Sequence, residues 1–298
     1  MITINSINNI GQRAVNQDRY SCLKYGNMQG QSVWCLAVFD GMGGLENGEI
    51  YAEEAVRLVA RRMGDLVASA EQRAFAQPNS DFKTAFDELV CSQKEDFFSG
   101  LNREMLDLAD RNEYGDGGTT ASLAMIMDNT AYLFNTGDSP LYLLRADGVR
   151  TEELSIRDNA AERDVREGKT ERNTEEYYRK SSGLLSFLGC RSKEVVTHFS
   201  KITLEVGDAL LIGTDGAFGN ELTGSERLGE FLAQNPCVSQ IHMALTQRAA
   251  ETTGDNQTLL VAEYYENTEQ NSGQASPSEP VRSSGSGRQR KGWFGFGR

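Results

Sequence analysis

Short apolar runs bounded by turn residues recur along this chain beyond Gly118, and they leave few folds open to it. Runs at 119–127, 131–135, 141–145, 195–199, Ala209–Gly213 and Gln257–Tyr264 have strand length. The turn pairs Asp128-Asn129 and Asp147-Gly148 fall between or after such runs, so hairpins and antiparallel sheet are expected. One earlier run, 33–39, reads as a further buried strand. Helical spacing appears elsewhere. Ala52, Ala55, Val56, Val59, Ala60 and Met63 recur every three or four residues, a helical region is expected over about 82–108, and Ile241, Leu245 and Ala249 share one side of a helix over 238–250.

Five short acidic motifs are distributed over this pattern in order: Arg13-x-x-Asn16-Gln17-Asp18, Asp40-Gly41-Met42-Gly43-Gly44, Gly137-Asp138-Ser139, Thr214-Asp215-Gly216 and Gly254-Asp255-Asn256. Four of them set an aspartate beside glycine at or near the end of an apolar run. A carboxylate placed there can leave a strand and point at a shared cation, and ligation by oxygen alone selects a hard divalent metal such as Mg²⁺ or Mn²⁺. Gly43 and Gly44 serve backbone geometry in this reading, because no Gly-Lys-Ser/Thr follows them to make a phosphate loop.

The chain of 298 residues has 39% hydrophobic content, enough for one large domain with a sizeable core. Its five cysteines are scattered and include no Cys-x-x-Cys pair, which favours a reducing compartment over a disulfide framework or a zinc site. Residues 1–10 lack a basic start followed by an apolar core, and no run approaches the roughly 18 apolar residues of a membrane span. A soluble, cytoplasmic protein is expected. Net charge is −13, yet residues 281–298 hold five basic residues and no acid, so residues 1–280 carry −18. A body of that charge repels nucleic acid and anionic membranes. Residues 1–265 read as the folded domain and 266–298 as a flexible linker ending in Trp293-Phe294-Gly295-Phe296, a basic, aromatic end suited to docking on a protein partner or a membrane surface. The highly charged stretch 158–180 reads as a mobile surface segment within a variable, flap-like region at 147–200.

Taken together, the motifs resemble those of the metal-dependent protein phosphatases of type 2C, the PPM family of serine/threonine phosphatases, in its bacterial branch. Gly118-Thr119-Thr120 and 184–189 also fall in place, and the likeness covers roughly residues 5–265. The resemblance implies an α+β fold: a four-layer α-β-β-α sandwich with two central antiparallel sheets flanked by helices. It implies that Asp40 bridges two Mn²⁺ or Mg²⁺ ions with the Gly41 carbonyl on one, that Asp215 and Asp255 complete the other shell, and that Asp18 lies close to the metals. Asp138 would serve a third, weaker site, Arg13 would hold the substrate phosphate, and Asn256 would support Asp255. Two cations about 3.5–4 Å apart acidify a bridging water, so that hydroxide attacks phosphorus in line and no protein nucleophile is needed. The implied partners are phosphorylated serine/threonine proteins and a cognate kinase, with the phosphatase acting as a monomer.

Several positions depart from the pattern. Gln17 stands where many members carry glutamate, Met42 and Leu45 where others place a histidine, and Pro140 where arginine is usual. His198 and His242, the only histidines, lie outside the motifs and read as structural. Asp138 has a plainer reading too, as the organiser of a hairpin turn. The rival functional class is a phosphoprotein-binding scaffold of the same fold with weak catalysis, which predicts missing metal aspartates. An aspartyl-nucleophile phosphatase would need Asp-x-Asp, and Gly213-Thr214-Asp215 lacks the first acid.

Overall fold

The computed structural model describes residues 1–42, 47–77, 80–148, 150–219, 222, 224–234 and 238–265. Gly43, Gly44, Leu45 and the whole of 266–298, with its aromatic end, lie outside the described residues. The chain divides into two units, Met1–Glu266 and Asn267–Arg298.

Among the described residues of the first unit, ten strands form two antiparallel sheets. One runs in the order β1 (Ile2–Asn9), β10 (Gln257–Tyr264), β9 (Ala209–Gly213), β6 (Leu141–Leu144), β7 (Thr151–Glu153). The other runs β2 (Arg19–Gly26), β3 (Ser32–Phe39), β4 (Ala121–Met127), β5 (Thr130–Thr136), β8 (His198–Thr203). Alternation along each central strand sorts its side chains into two layers. On β3, Val33, Cys35, Ala37 and Phe39 face helices α1 (Gly48–Ala76), α2 (Phe82–Gln93) and α3 (Phe97–Asn112), while Leu36 and Val38 enter the core between the sheets. On β10, Leu260 and Ala262 meet them from the other sheet, and Leu259 and Val261 turn outward to α6 (Asp215–Phe218), α7 (Ser225–Ala233) and α8 (Val238–Thr252). Strands buried on both faces read as unbroken apolar runs, and the result is the expected α-β-β-α sandwich.

The structure corrects four local expectations. Residues 82–108 form two helices, because the stripe Phe82, Phe86, Leu89, Phe97, Leu101, Met105 keeps helical spacing across a break at 94–96. The strand expected at 195–199 lies at His198–Thr203, an edge strand with partly exposed residues. Edge strands β1 and β2 and the short β7 alternate with polar residues and give no apolar run.

The fourth correction concerns 158–180, which folds as α4 (Ala160–Arg166) and α5 (Glu175–Ser181) over a buried ionic network. Arg157 Nε contacts Glu153 at 2.7 Å, its Nη2 donates to the Tyr142 hydroxyl at 2.5 Å, Arg172 pairs with Glu162 at 2.7 Å, and the Tyr177 hydroxyl donates to Glu162 at 2.6 Å. Among the described residues no helix is long and apolar enough to cross a membrane.

Candidate metal centre and active site

The acidic motifs converge where the two sheets deliver their strand ends. β3 stops at Phe39, and the Asp40 backbone is then pinned on both sides: its N–H donates to Thr120 Oγ1 (3.1 Å), and its carbonyl accepts from Thr120 N (2.9 Å) and Thr119 Oγ1 (3.0 Å). The glycine after it is dictated by packing, since a Cβ at Gly41 would lie 2.6 Å from the backbones of Gln17 and Gly48. The other sheet repeats the device. β9 ends at Gly213, Thr214 leads into Asp215, and a Cβ on Gly216 would fall 2.0 Å from the carbonyl oxygen of Asn256. Each Asp-Gly pair is thus a carboxylate followed by a residue that lets another motif's backbone pass close by.

Asp18 is 1% exposed and accepts from Thr214 Oγ1 at 2.9 Å, which ties the first motif to the fourth. Asp138, between β5 and β6, is buried and accepts from Asn159 Nδ2 at 2.9 Å. Ser139 Oγ lies 2.6 Å from Thr120 Oγ1, so the Asp138 turn and the Asp40 backbone share one hydroxyl pair. Arg13 makes a two-pronged contact with Asp255, Nε to Oδ1 and Nη2 to Oδ2, both at 2.9 Å. The phosphate holder expected from the sequence therefore stands at the mouth, half exposed, with two of its N–H groups on a carboxylate. Gln17, the departure from glutamate, donates to Glu49 at 3.0 Å.

Asn256 has a second task beside its contact with Asp255. Its side chain donates to the carbonyls of Ile10 (2.7 Å) and Val15 (3.2 Å) and accepts from Gln17 N (2.9 Å), so it shapes the loop carrying Arg13. Only its backbone N–H reaches Asp255, at 2.9 Å. His198, read as structural, has Nε2 at 2.9 Å from both carboxylate oxygens of Asp158. His242 lies on α8 with a buried Nδ1 that meets no hydrogen-bond partner among the described residues.

Charge distinguishes this cluster from the rest of the domain. Burial raises the Asp18 carboxyl to about 7, with repulsion from Asp215 and Asp255 adding and hydroxyls of Thr258 and Thr214 opposing. Asp138 is likewise raised to about 7, first by burial and then by Asp215, against the Asn159 amide and Arg157. Asp40 lies well above the ordinary range through burial and the charges of Asp18, Asp215, Asp138 and Asp255. Asp215 is also raised, by burial and then by Asp255. Its side chain has solvent-accessible surface in the cleft, but protein surrounds the cleft on most sides and restricts the water around the carboxylate. Five carboxylates that repel one another across a cleft, with hard oxygen donors throughout, fit divalent cations. Among the described residues no three His, Cys, Asp or Glu side chains already converge as ligands of one ion. The fit lies in donor chemistry and uncompensated charge. Beside the cluster a cavity of about 220 Å³ is lined by Asp138, Asp215, Asp255, Asn159, Arg157 and Tyr178 among others. Of these, Asn159 lies in the charged stretch 158–180 and Arg157 just before it, and nothing in the sequence marks them.

Residues 8–253 match the protein phosphatase 2C family, and the chain belongs to that family. It is an enzyme of the protein phosphatase class. Protein phosphatase PhpP of Streptococcus pneumoniae is 27% identical over 226 residues, 75% of this chain and 81% of that protein. Among solved structures, the S. agalactiae serine/threonine phosphatase superposes with a TM-score of 0.63 at 23% identity, covering 89% of this chain and all of that one. The catalytic domain of serine/threonine protein phosphatase PstP, crystallised with two manganese ions, does so with a TM-score of 0.59 at 24% identity, covering 89% and 99%. At these identities the structural likeness is one of fold.

Proposed function

We propose that this chain is a metal-dependent protein serine/threonine phosphatase that uses Mn²⁺ or Mg²⁺ to hydrolyse phosphoserine and phosphothreonine on proteins, opposing a kinase. The observation that carries the reading is the set of five aspartates brought together from both sheets with their charge unbalanced. Asp40, the Gly41 carbonyl, Asp215, Asp255 and Asp18 would hold a pair of cations, and Asp138 a third, weaker one. When bound, such a pair supplies an acidified water for in-line attack and offsets charge on the phosphoryl oxygens. Arg13 is the residue at the mouth suited to grip that phosphoryl group, its planar guanidinium exchanging Asp255 for substrate. Thr214 and Thr120 keep Asp18 and the Asp40 backbone in place by neutral donors, which leaves the carboxylate charge for the cations.

In this reading residues 1–265 are the catalytic domain and 266–298 a separate basic and aromatic tail for a protein or membrane partner, and the enzyme works as a cytoplasmic monomer. The test is hydrolysis of a phosphothreonine peptide by the purified chain with Mn²⁺, with chelator, and as Asp40→Asn. Metal-dependent turnover, lost with chelator and reduced at least about a hundredfold in the variant, is expected. A folded, Mn²⁺-loaded wild type without turnover rejects it in favour of a binding scaffold.

A further inference from the structure

Asn159 is buried, 3% exposed, and both ends of its side chain are committed. Its Oδ1 accepts from Glu162 N at 2.8 Å and so caps the first turn of α4. An amide whose oxygen is taken by a cap must turn its nitrogen the other way. That nitrogen donates to Asp138 Oδ2 at 2.9 Å, inside the cavity beside the aspartates. The neighbouring backbone closes the same join. Asp158 N donates to the Gly137 carbonyl (2.9 Å), the Asp158 carbonyl accepts from Leu185 N (2.7 Å), and the Asp158 carboxylate meets His198 of β8 at 2.9 Å. The dipeptide Asp158-Asn159 therefore clasps the turn bearing Asp138 to both ends of the α4–α5 segment.

We propose that Asn159 is a positioning residue: its amide aims Asp138 at a divalent cation, and because the same amide caps α4, occupancy of that cation site and folding of α4 are linked. The inference rests on the reading that Asp138 serves a cation. Asp138 lines the cleft and one of its oxygens is occupied by Asn159, which restrains the carboxylate and leaves the other oxygen as the candidate ligand. A cation on that oxygen restrains Asp138, hence the amide, hence the helix start. Partners of this kind, behind a ligand, typically change metal affinity by about tenfold or more when removed. Linkage requires the reverse effect, metal protecting the helix, in equal measure.

Asn159→Ser separates the two bonds, since serine is a good cap but is too short to reach Asp138. Mn²⁺ titration calorimetry on the full chain would compare wild type, N159S, D138N and the double variant. The expected result is a weaker class of Mn²⁺ binding in wild type that loses about tenfold in affinity in N159S, with tighter ions unaffected, and no further loss when N159S is added to D138N. Hydrogen exchange should show Mn²⁺ slowing the amides of 160–166 in wild type and in none of the three variants. Wild type without a weaker class, an N159S isotherm like that of wild type, or equal Mn²⁺ protection of 160–166 in all variants overturns the inference. If N159S does not fold, Asn159→Asp keeps cap and volume while removing the donor. A shift confined to the weaker class is then expected, and an unchanged isotherm overturns the proposal. Because the isotherms read binding rather than turnover, absence of phosphopeptide hydrolysis counts against the phosphatase reading alone.

Discussion

Raising the pH should destabilise the metal-free domain, and Asp18 sets the size of the effect. Its carboxyl titrates at about 7 in the fold against 3.8 in a free chain, first because it is buried and then because Asp215 and Asp255 repel its charge. The native state therefore binds a proton that the unfolded state has released, and stability falls as pH rises through that window. Below 3.8 the contribution is complete. By about pH 5 part is gone, and between about pH 5 and pH 8 the remaining loss is on the order of 2–3 kcal/mol, at the roughly 1.4 kcal/mol that one pKa unit represents. For a domain of this size that corresponds to a melting temperature lower by about 5–10 °C. Asp138, raised to about 7 as well, acts in the same direction, and shared repulsion makes the two contributions less than additive. The assay is thermal unfolding with chelator across this pH range, repeated with Mn²⁺ and with Asp18→Asn, whose amide can still accept from Thr214. The metal-free melting temperature should fall, Mn²⁺ should restore it most at high pH, and the variant should flatten the slope. A metal-free melting temperature that is level or rises with pH, or a variant with the wild-type slope, refutes the reasoning.

Two substitutions test the mouth of the site. Arg13→Lys keeps a positive charge but loses the two-pronged contact with Asp255, so phosphopeptide KM should rise several-fold with a change in melting temperature of less than about 2 °C, because half-exposed ion pairs contribute little. Steady-state kinetics beside thermal melts separate these, and an unchanged KM removes Arg13 from phosphate recognition. Asn256→Ala breaks three bonds that hold the 10–17 loop and should cost about 2–3 kcal/mol while raising KM, as read by urea unfolding and kinetics. A stable variant with normal KM shows that the loop holds Arg13 without Asn256.

Four of the five aspartates stood out in the sequence because each lies beside glycine at or near the end of an apolar run, and Gly41 and Gly216 are demanded by the close approach of neighbouring motifs. Central strands buried on both faces announced themselves in the same way. β1 and β2 did not, since each is an edge strand whose outward residues are polar and whose pairing is settled by β10 and β3 far along the chain. The segment 158–180 misled for a related reason: a high density of charge normally means solvent, and only the fold shows Arg157, Glu162, Arg172 and Tyr177 satisfying one another. Asn159 and the loop-shaping role of Asn256 depend on atoms brought together by three or more elements. No local spacing encodes them.

Those two groups of buried charge respond to folding in opposite senses, and the contrast tells function from structure. Burial alone would raise the Glu162 carboxyl, but Arg172, the Tyr177 hydroxyl and Arg157 overcome it and hold it below the ordinary range. The Asp40 backbone is held by neutral hydroxyl and amide groups, and the charges near its carboxyl raise it. Neutralising one carboxylate should therefore have opposite signs at the two places. Glu162→Gln leaves Arg157 and Arg172 short of one negative charge and should cost about 3–5 kcal/mol at neutral pH. Asp40→Asn relieves repulsion and should stabilise the metal-free protein while abolishing the extra stability that Mn²⁺ confers. Urea unfolding of both variants with and without Mn²⁺ measures this directly, and two changes of the same sign without metal would mean that the aspartate cluster is balanced by partners inside the protein. A site whose charge is left open by the fold is one that folding has reserved for a ligand, and the energy that the metal-free domain forgoes there is recovered when cations bind.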